Sequence, residues 1–236
     1  MLKVAVAGVC GRMGRLTLEA IGRTADVSYV GGFARAARPQ EHVFASLDEL
    51  FGHGRPDVLV DFTVHPKTVE VATAALRAGV RPVIGATGWR ESEISALEKL
   101  SSQEQLGAML VPNFAIGAVL MMRFAREAAR FFPTTEIIEM HHDTKRDKPS
   151  GTAKLTADGM RSETGRDTPI HSVRLRGLVA HQEVLLGNTG ELLTIRHDSI
   201  SRESFAAGIV MAIRRVASLS SLEVGLDAAL REHEAQ

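Results

Sequence analysis

Cysteine is nearly missing from this chain: Cys10 is the only one in 236 residues. A single thiol excludes an intramolecular disulfide and points to a reducing, cytoplasmic setting. Neither sign of charge is in excess. Twenty-eight Lys and Arg stand against 28 Asp and Glu, so the basic surplus of a nucleic-acid binder is absent. Long hydrophobic runs are lacking too. The longest, MLKVAVAGV and AIGAVLMM, fall well short of the roughly 20 apolar residues that a membrane span requires. The chain opens on a strand-like segment without a basic n-region, so no signal peptide is expected. Repeats, low-complexity tracts and long linkers are also missing, which leaves one large or two smaller globular domains.

What is present in the first half is an alternation. KVAVAG (residues 3–8), VSYVGGF (27–33), DVLVDF (57–62), RPVIGATG (81–88) and GAMLVPNF (107–114) are short apolar runs that end at glycine or another loop residue. They read as strands. Between them, residues 15–24, 66–79 and 91–100 carry helical periodicity, and Pro66 and Gly79 bracket the second of these as helix ends commonly do. Strands alternating with helices predict a parallel sheet covered on both faces, an α/β fold of Rossmann type. Beyond Asn113 the rhythm changes. An amphipathic helix (117–132) is followed by TEIIEM, HSVRLRG, QEVLLGN and ELLTIRHD, with GNTG between the last two as a hairpin signal. This predicts an α+β domain with a mixed or antiparallel sheet. A last helix over 204–219 is expected to pack back on the first domain. The expected boundaries are 1–112 plus 204–236 for a dinucleotide-binding domain, and 113–203 for a substrate-binding and oligomerisation domain.

GVCGRMGR (8–15) joins the first strand to the first helix, with Gly8, Gly11 and Gly14. Glycines let the backbone turn tightly and approach a pyrophosphate, whose charge then meets a helix N-terminus. The spacing is G-x-x-G-x-x-G rather than G-x-G-x-x-G, so position carries more weight than pattern. Arg12 and Arg15 add positive charge, and Cys10 reads as a small filler. NAD-binding loops usually offer a carboxylate about 20 positions later. Here Ala34 stands there, beside Arg35 and Arg38, which favours a 2′-phosphate and hence NADPH, or use of both NADPH and NADH. GATG (85–88) and VPNF (111–114) sit at later strand ends, where a parallel sheet binds its ligand. Gly85, Ala86, Thr87, Val111, Pro112, Asn113 and Phe114 should border the nicotinamide, with Asn113 a hydrogen-bonding candidate.

EMHHDTKRDKPSGTAK (139–154) raises three readings: a metal site, a solvated loop or an anion pocket with transferable protons. His141 and His142 lie at a strand end, and adjacent strand residues face opposite ways. They chelate one ion poorly, because common zinc patterns space ligands by about two to five residues; no metal is expected. A solvated loop explains Lys145, Arg146, Asp147 and Lys148 but not the PSGTA that follows. Ser150, Gly151 and Thr152 open a helix, whose first N–H groups bind anions. His and Lys nearby supply charge and protons. A dicarboxylate or a phosphate compound is the expected ligand. Arg202 faces either substrate or an ion-pair partner. His42, His53, His65, His171 and His233 read as surface residues, and Trp89 as cleft wall or packing.

The same stretch resembles the signature of the dihydrodipicolinate reductase family, the 4-hydroxy-tetrahydrodipicolinate reductases of lysine and diaminopimelate synthesis. VAGVCGRMGR, DFTVHP, GATGW, VPNFAIGAVL and HDSISRESFAAG resemble the family in the same order, over nearly the whole chain. The resemblance implies that Gly8, Val9, Cys10, Gly11, Arg12 and Met13 hold the cofactor pyrophosphate. It implies that His141 exchanges the proton and Lys145 is a second proton donor. His142, Gly151 and Thr152 would contact substrate, the last two at a carboxylate, and the assembly would be a homotetramer built through the second sheet. The chain departs from the family at three places. Ala34 replaces a glutamate common in members that use NADH well, GATG replaces Gly-Thr-Thr-Gly, and GLVAHQEV replaces a Gly-Glu-His run, so His181 receives no role. A nucleotide sensor without turnover, a metal-dependent lyase and a different NAD(P)-dependent reductase are the rival readings.

Overall fold

The computed structural model describes residues 1–234. The chain forms two compact units, one of Met1–Phe114 together with the segment from Phe205 onward, the other of Ala115–Ser204.

The first unit begins β1 (Leu2–Ala7), α1 (Arg12–Gly22), β2 (Val27–Phe33), β3 (Val43–Phe44), α2 (Leu47–Gly54), β4 (Val58–Asp61), α3 (Lys67–Arg77), β5 (Arg81–Ile84), α4 (Glu91–Glu104) and β6 (Ala108–Leu110). The second unit follows as α5 (Ile116–Ala128), β7 (Thr134–His141), α6 (Gly151–Thr164), β8 (Ile170–Arg174), β9 (Ala180–Asn188) and β10 (Glu191–Ser199). The chain then rejoins the first unit with α7 (Ala206–Ser218), β11 (Leu222–Val224) and α8 (Asp227–Glu234).

The first unit's sheet has seven strands in the order β11-β6-β5-β4-β1-β2-β3, all parallel. Read from β3, this is the doubly wound order, with its switch point between β1 and β4. Ala5, Ala7 and Leu59 pack with Leu50 of α2 and with Val71 and Ala75 of α3. The alternate residues Val4, Val6, Val58 and Val60 are fully buried as well, so both faces of the sheet are covered. On the predicted last helix, α7 packs against α1, β4 and β5. Four elements escaped the sequence reading: β3, α2, β11 and α8. β3 and β11 have two and three residues, too few to show a period. α2 is interrupted by Gly52 and identified mainly by its cap, where the Ser46 side chain accepts from the Glu49 N–H. α1 also starts at Arg12 rather than Arg15, so half of the glycine motif is the helix's first turn.

The second unit's sheet has the order β10-β9-β7-β8. β7 and β8 are parallel and the other pairs antiparallel, so the expected mixed sheet forms. The hairpin turns on Thr189 and Gly190, the latter at φ 78, a value that glycine adopts without steric penalty. Strand alternation sorts the residues. One face turns Ile137, Val184, Leu186 and Ile195 onto Met121 and Ala125 of α5 and onto Ala153 and Met160 of α6. Farther along this same inner face the residues become polar: Glu139 and His141, Ser172 and Arg174, Gln182, His197. A sheet face that begins as core and ends polar positions chemistry beside a rigid base.

Candidate active site

The first unit's candidate residues gather at the carboxyl ends of β1, β4, β5 and β6. Gly8 has φ +75, and a Cβ there would lie 2.8 Å from the Phe62 carbonyl oxygen. A Cβ on Gly14 would lie 2.4 Å from the Gly8 oxygen and 2.6 Å from the Val9 Cα. The Gly11 N–H donates to the Gly8 oxygen at 2.9 Å. α1 has no side-chain N-cap and no acidic residue in its first turn, so the helix itself places no carboxylate over the N–H groups of Arg12 and Met13. Val9 is buried, Cys10 half-buried, and Arg12 exposed. This is a cradle that a phosphate fits and a side chain would fill.

Three further loops join it. Asp61, fully buried, closes β4 and accepts from the Thr68 hydroxyl at 2.6 Å and the Thr63 N–H at 2.8 Å. Burial pushes its carboxyl up, and these hydrogen bonds act in the opposite direction. A Cβ on Gly85 would meet the Phe62 ring at 2.2 Å and the Phe114 ring at 2.9 Å, and those rings stand 5.5 Å apart. The Val111 N–H donates to the Ile84 oxygen at 2.8 Å. Gly85, Ala86 and Thr87 therefore lie beside Val111, Pro112, Asn113 and Phe114, fastened by two phenyl rings. His65 is not a surface residue as expected. It is half-buried against Glu93 at 3.0 Å, and Glu93 also accepts the Arg90 N–H at 2.9 Å. Burial and the partner carboxylate draw it inward. His42, His53 and His171 are exposed, and the side chain of His233 lies outside the described residues. Trp89 packs beside the cluster of Leu76, Ile84 and Leu97. Arg35 is exposed just past β2. Arg38, also exposed, pairs with Glu41 at 3.6 Å.

The second unit holds the ionisable cluster at the polar end of its inner sheet face. His141 Nδ1 lies 2.6 Å from Glu139 Oε2. Glu139 is completely buried. It also receives Arg174 Nη1 and Nη2, each at 2.8 Å, and the Ser150 N–H at 3.2 Å. Burial alone would push the Glu139 carboxyl up; hydrogen bonds from Arg174, Ser172 and His141 outweigh it and hold the carboxyl below its usual range. Burial pushes the His141 imidazole down, Lys145 and Arg174 push the same way, and Glu139 opposes them. The result lies below the ordinary histidine value of 6.5.

Lys145 pairs with Asp147 at 2.8 Å. His142 leaves the strand and turns to the Thr144 hydroxyl, 2.7 Å from its Nδ1. Ser150 caps α6 by accepting from the Ala153 N–H at 3.2 Å. Gly151 follows with open space where a Cβ would stand, and Thr152 completes the first turn, which contains no acid. A helix start so arranged accepts an anion. Sequence reading missed Glu139, Arg174 and Asp147 as members of this cluster. The E-x-H spacing signals Glu139, since strand residues two apart share a face. Arg174 lies 35 residues from Glu139, and nothing local marks the pairing.

Comparison with known proteins matches both parts. The family model described as dihydrodipicolinate reductase, N-terminus, matches residues 2–114, and that described as dihydrodipicolinate reductase, C-terminus, matches 117–230. The 4-hydroxy-tetrahydrodipicolinate reductase of Moorella thermoacetica is 41% identical over 96% of this chain and 97% of its own. That of Enterococcus faecalis is 42% identical over 96% and 99%. Among solved structures, the dipicolinate-bound dihydrodipicolinate reductase of a Paenisporosarcina species superposes with a TM-score of 0.87, at 36% identity over 97% of this chain and 99% of that one. The scyllo-inositol dehydrogenase of Lactobacillus casei, at 13% identity and a TM-score of 0.67, shares the fold alone. With both halves matched in order and relatives aligned nearly end to end, the chain belongs to the dihydrodipicolinate reductase family.

Proposed function

We propose that this protein reduces 4-hydroxy-tetrahydrodipicolinate to tetrahydrodipicolinate with NADPH or NADH, as a cytoplasmic enzyme of lysine and diaminopimelate synthesis. The observation that carries the reading is the cluster on one polar sheet end: His141 backed by buried Glu139, with Lys145 and the capped, open start of α6 beside it. The names of the relatives and the dipicolinate in the related solved structure supply the substrate class, a cyclic dicarboxylate.

In this reading Gly8, Val9, Cys10, Gly11, Arg12 and Met13 hold the pyrophosphate on the first turn of α1. Arg35 meets the 2′-phosphate of NADPH. Gly85, Ala86, Thr87, Val111, Pro112, Asn113 and Phe114 border the nicotinamide, which supplies hydride when bound. Gly151 and Thr152 present N–H groups, and Ser150 and Thr152 hydroxyls, to a substrate carboxylate, the Ser150 N–H being held by Glu139; His142 contacts the same ligand. Hydride addition to a conjugated C=N system leaves an electron-rich enamine that needs a proton. His141 gives it from Nε2, and Lys145 stabilises the developing negative charge or delivers a proton itself.

The assembly proposed is a homotetramer. The sheet face opposite α5 and α6 carries Ile138, Met140, Val173, Leu185 and Leu192, and Leu192 is 66% exposed. These apolar side chains, interleaved on the same face with Glu136, Glu183 and Arg196, suit a second copy.

A steady-state assay with enzymatically generated substrate and each cofactor tests the function. Oxidation of the reduced nicotinamide, followed by its absorbance, is the expected result. Cofactor binding without any oxidation would sink the reading and leave a nucleotide sensor.

A further inference from the structure

We infer that Glu139 is the positioning residue of the reaction: its buried carboxylate fixes the His141 tautomer and couples it to the anion-binding turn and to the Lys145 loop. This rests on the function proposed above, and it gives a role to a residue that the sequence reading left without one.

The geometry is a hub of hydrogen bonds on two oxygens, which Ser172 also joins. Oε2 faces His141 Nδ1 at 2.6 Å and receives Arg174 Nη1 at 2.8 Å. Oε1 receives Arg174 Nη2 at 2.8 Å and the Ser150 N–H at 3.2 Å. Each bond reaches a different part of the site. Through His141 the carboxylate touches the proton donor. Through Ser150 it touches the N-cap of α6, where the substrate carboxylate is placed. Through Arg174 it reaches the loop, because Arg174 Nη2 also donates to the Asp147 carbonyl at 2.7 Å, and the Asp147 side chain holds Lys145.

An ionised carboxylate only accepts hydrogen bonds. Nδ1 must therefore carry a hydrogen, and Nε2 is the nitrogen that gains and gives the transferable proton. When Nε2–H gives its proton to the substrate carbon, the Nδ1–H bond to Glu139 persists, and the neutral ring waits for a proton from solvent. Glu139 is buried, and Arg174 favours its ionised form. The charged groups facing His141 are Glu139 from β7, Arg174 from β8, and Lys145 with its partner Asp147 from the following loop. α6 contributes Ser150 and no acid in its first turn, and the β9 residues opposite Glu139 and His141 are Gln182 and Ala180.

The test reads the ring nitrogens directly. Two-bond ¹H–¹⁵N correlation spectra of the apo protein, assigned through His141→Gln, should show neutral His141 protonated on Nδ1. Glu139→Gln should move the neutral ring toward the Nε2–H form and lower kcat by at least about 100-fold, the lower range of a positioned general acid. It should also shift the high-pH limb of kcat to lower pH, because the carboxylate no longer supports the imidazolium, while the NADPH dissociation constant holds. A merely structural loss would scale the profile without moving it. Since Glu139→Gln leaves Arg174 buried without its carboxylate partner, Glu139→Gln with Arg174→Gln provides a second variant, expected to show the same shift in tautomer and limb. A wild-type ring protonated on Nε2, or variants that keep both kcat and the limb, would overturn the inference. The expected tautomer in a chain without any turnover overturns the function proposed above instead.

Discussion

At Gly14 a methyl group in place of hydrogen would stand 2.4 Å from a backbone oxygen and 2.6 Å from a backbone Cα. Backbone cannot swing aside as a flexible side chain does. Gly14→Ala is expected to cost about 1–3 kcal/mol by overpacking and to weaken NADPH binding measurably in a fluorescence titration. Gly22, with no atom within 4 Å of its would-be Cβ, is the control. Gly22→Ala should leave binding intact and raise stability by up to about 1 kcal/mol. His141 makes the pH argument. Burial, chiefly, lowers its pKa below 6.5, and the protonated form is the donor. Turnover should therefore fall as pH rises through that lowered value, and a kcat profile checks it; a limb in the lysine range would assign the proton to Lys145. His141→Gln should reduce kcat by roughly 10²–10⁴-fold with cofactor affinity unchanged. At this scale the sequence named most of the proposed site, because glycine, histidine and lysine types announce their chemistry. It did not reveal Arg174, whose partner is decided by which strand lies alongside.

Among the elements, α6 joins stability to binding. Its Ser150 cap satisfies the Ala153 N–H, so Ser150→Ala should cost about 1 kcal/mol. That corresponds to a fall in Tm of about 2–4 °C for a chain of this size, read by calorimetry. The substrate KM should rise in the same variant and the NADPH affinity should not change, since α6 lies in the second unit. Long elements were legible because periodicity accumulates: β7, β9, β10, α3 and α5 each repeat their pattern often enough to be read. β3 and β11 exist only because β2 and β6 offer an edge to pair with, and isolated runs of two or three residues carry no signal of that. The early start of α1 was hidden because glycine disfavours helix locally; the close approach of Gly14 to the Gly8 loop decides that position.

For the whole molecule, the open face of the four-stranded sheet carries the oligomer prediction. Leu192→Lys changes no ladder hydrogen bond, because the backbone makes those bonds. It places a charge where apolar contact is proposed. Light scattering after size-exclusion chromatography should show the wild type as a tetramer and the variant as a smaller species; an unchanged mass would sink the proposed interface. No described helix is long and apolar enough to cross a membrane, as the short hydrophobic runs foretold. The sequence by itself determined the alternation of strand and helix, the glycine cradle and the acid-base residue types, because each depends on neighbours along the chain. Only the tertiary structure decided the order of the seven strands, the burial of Glu139 and its pairing with Arg174. Those rest on contacts between residues far apart in sequence, and a contact of that kind exists only once the sheet has closed around it.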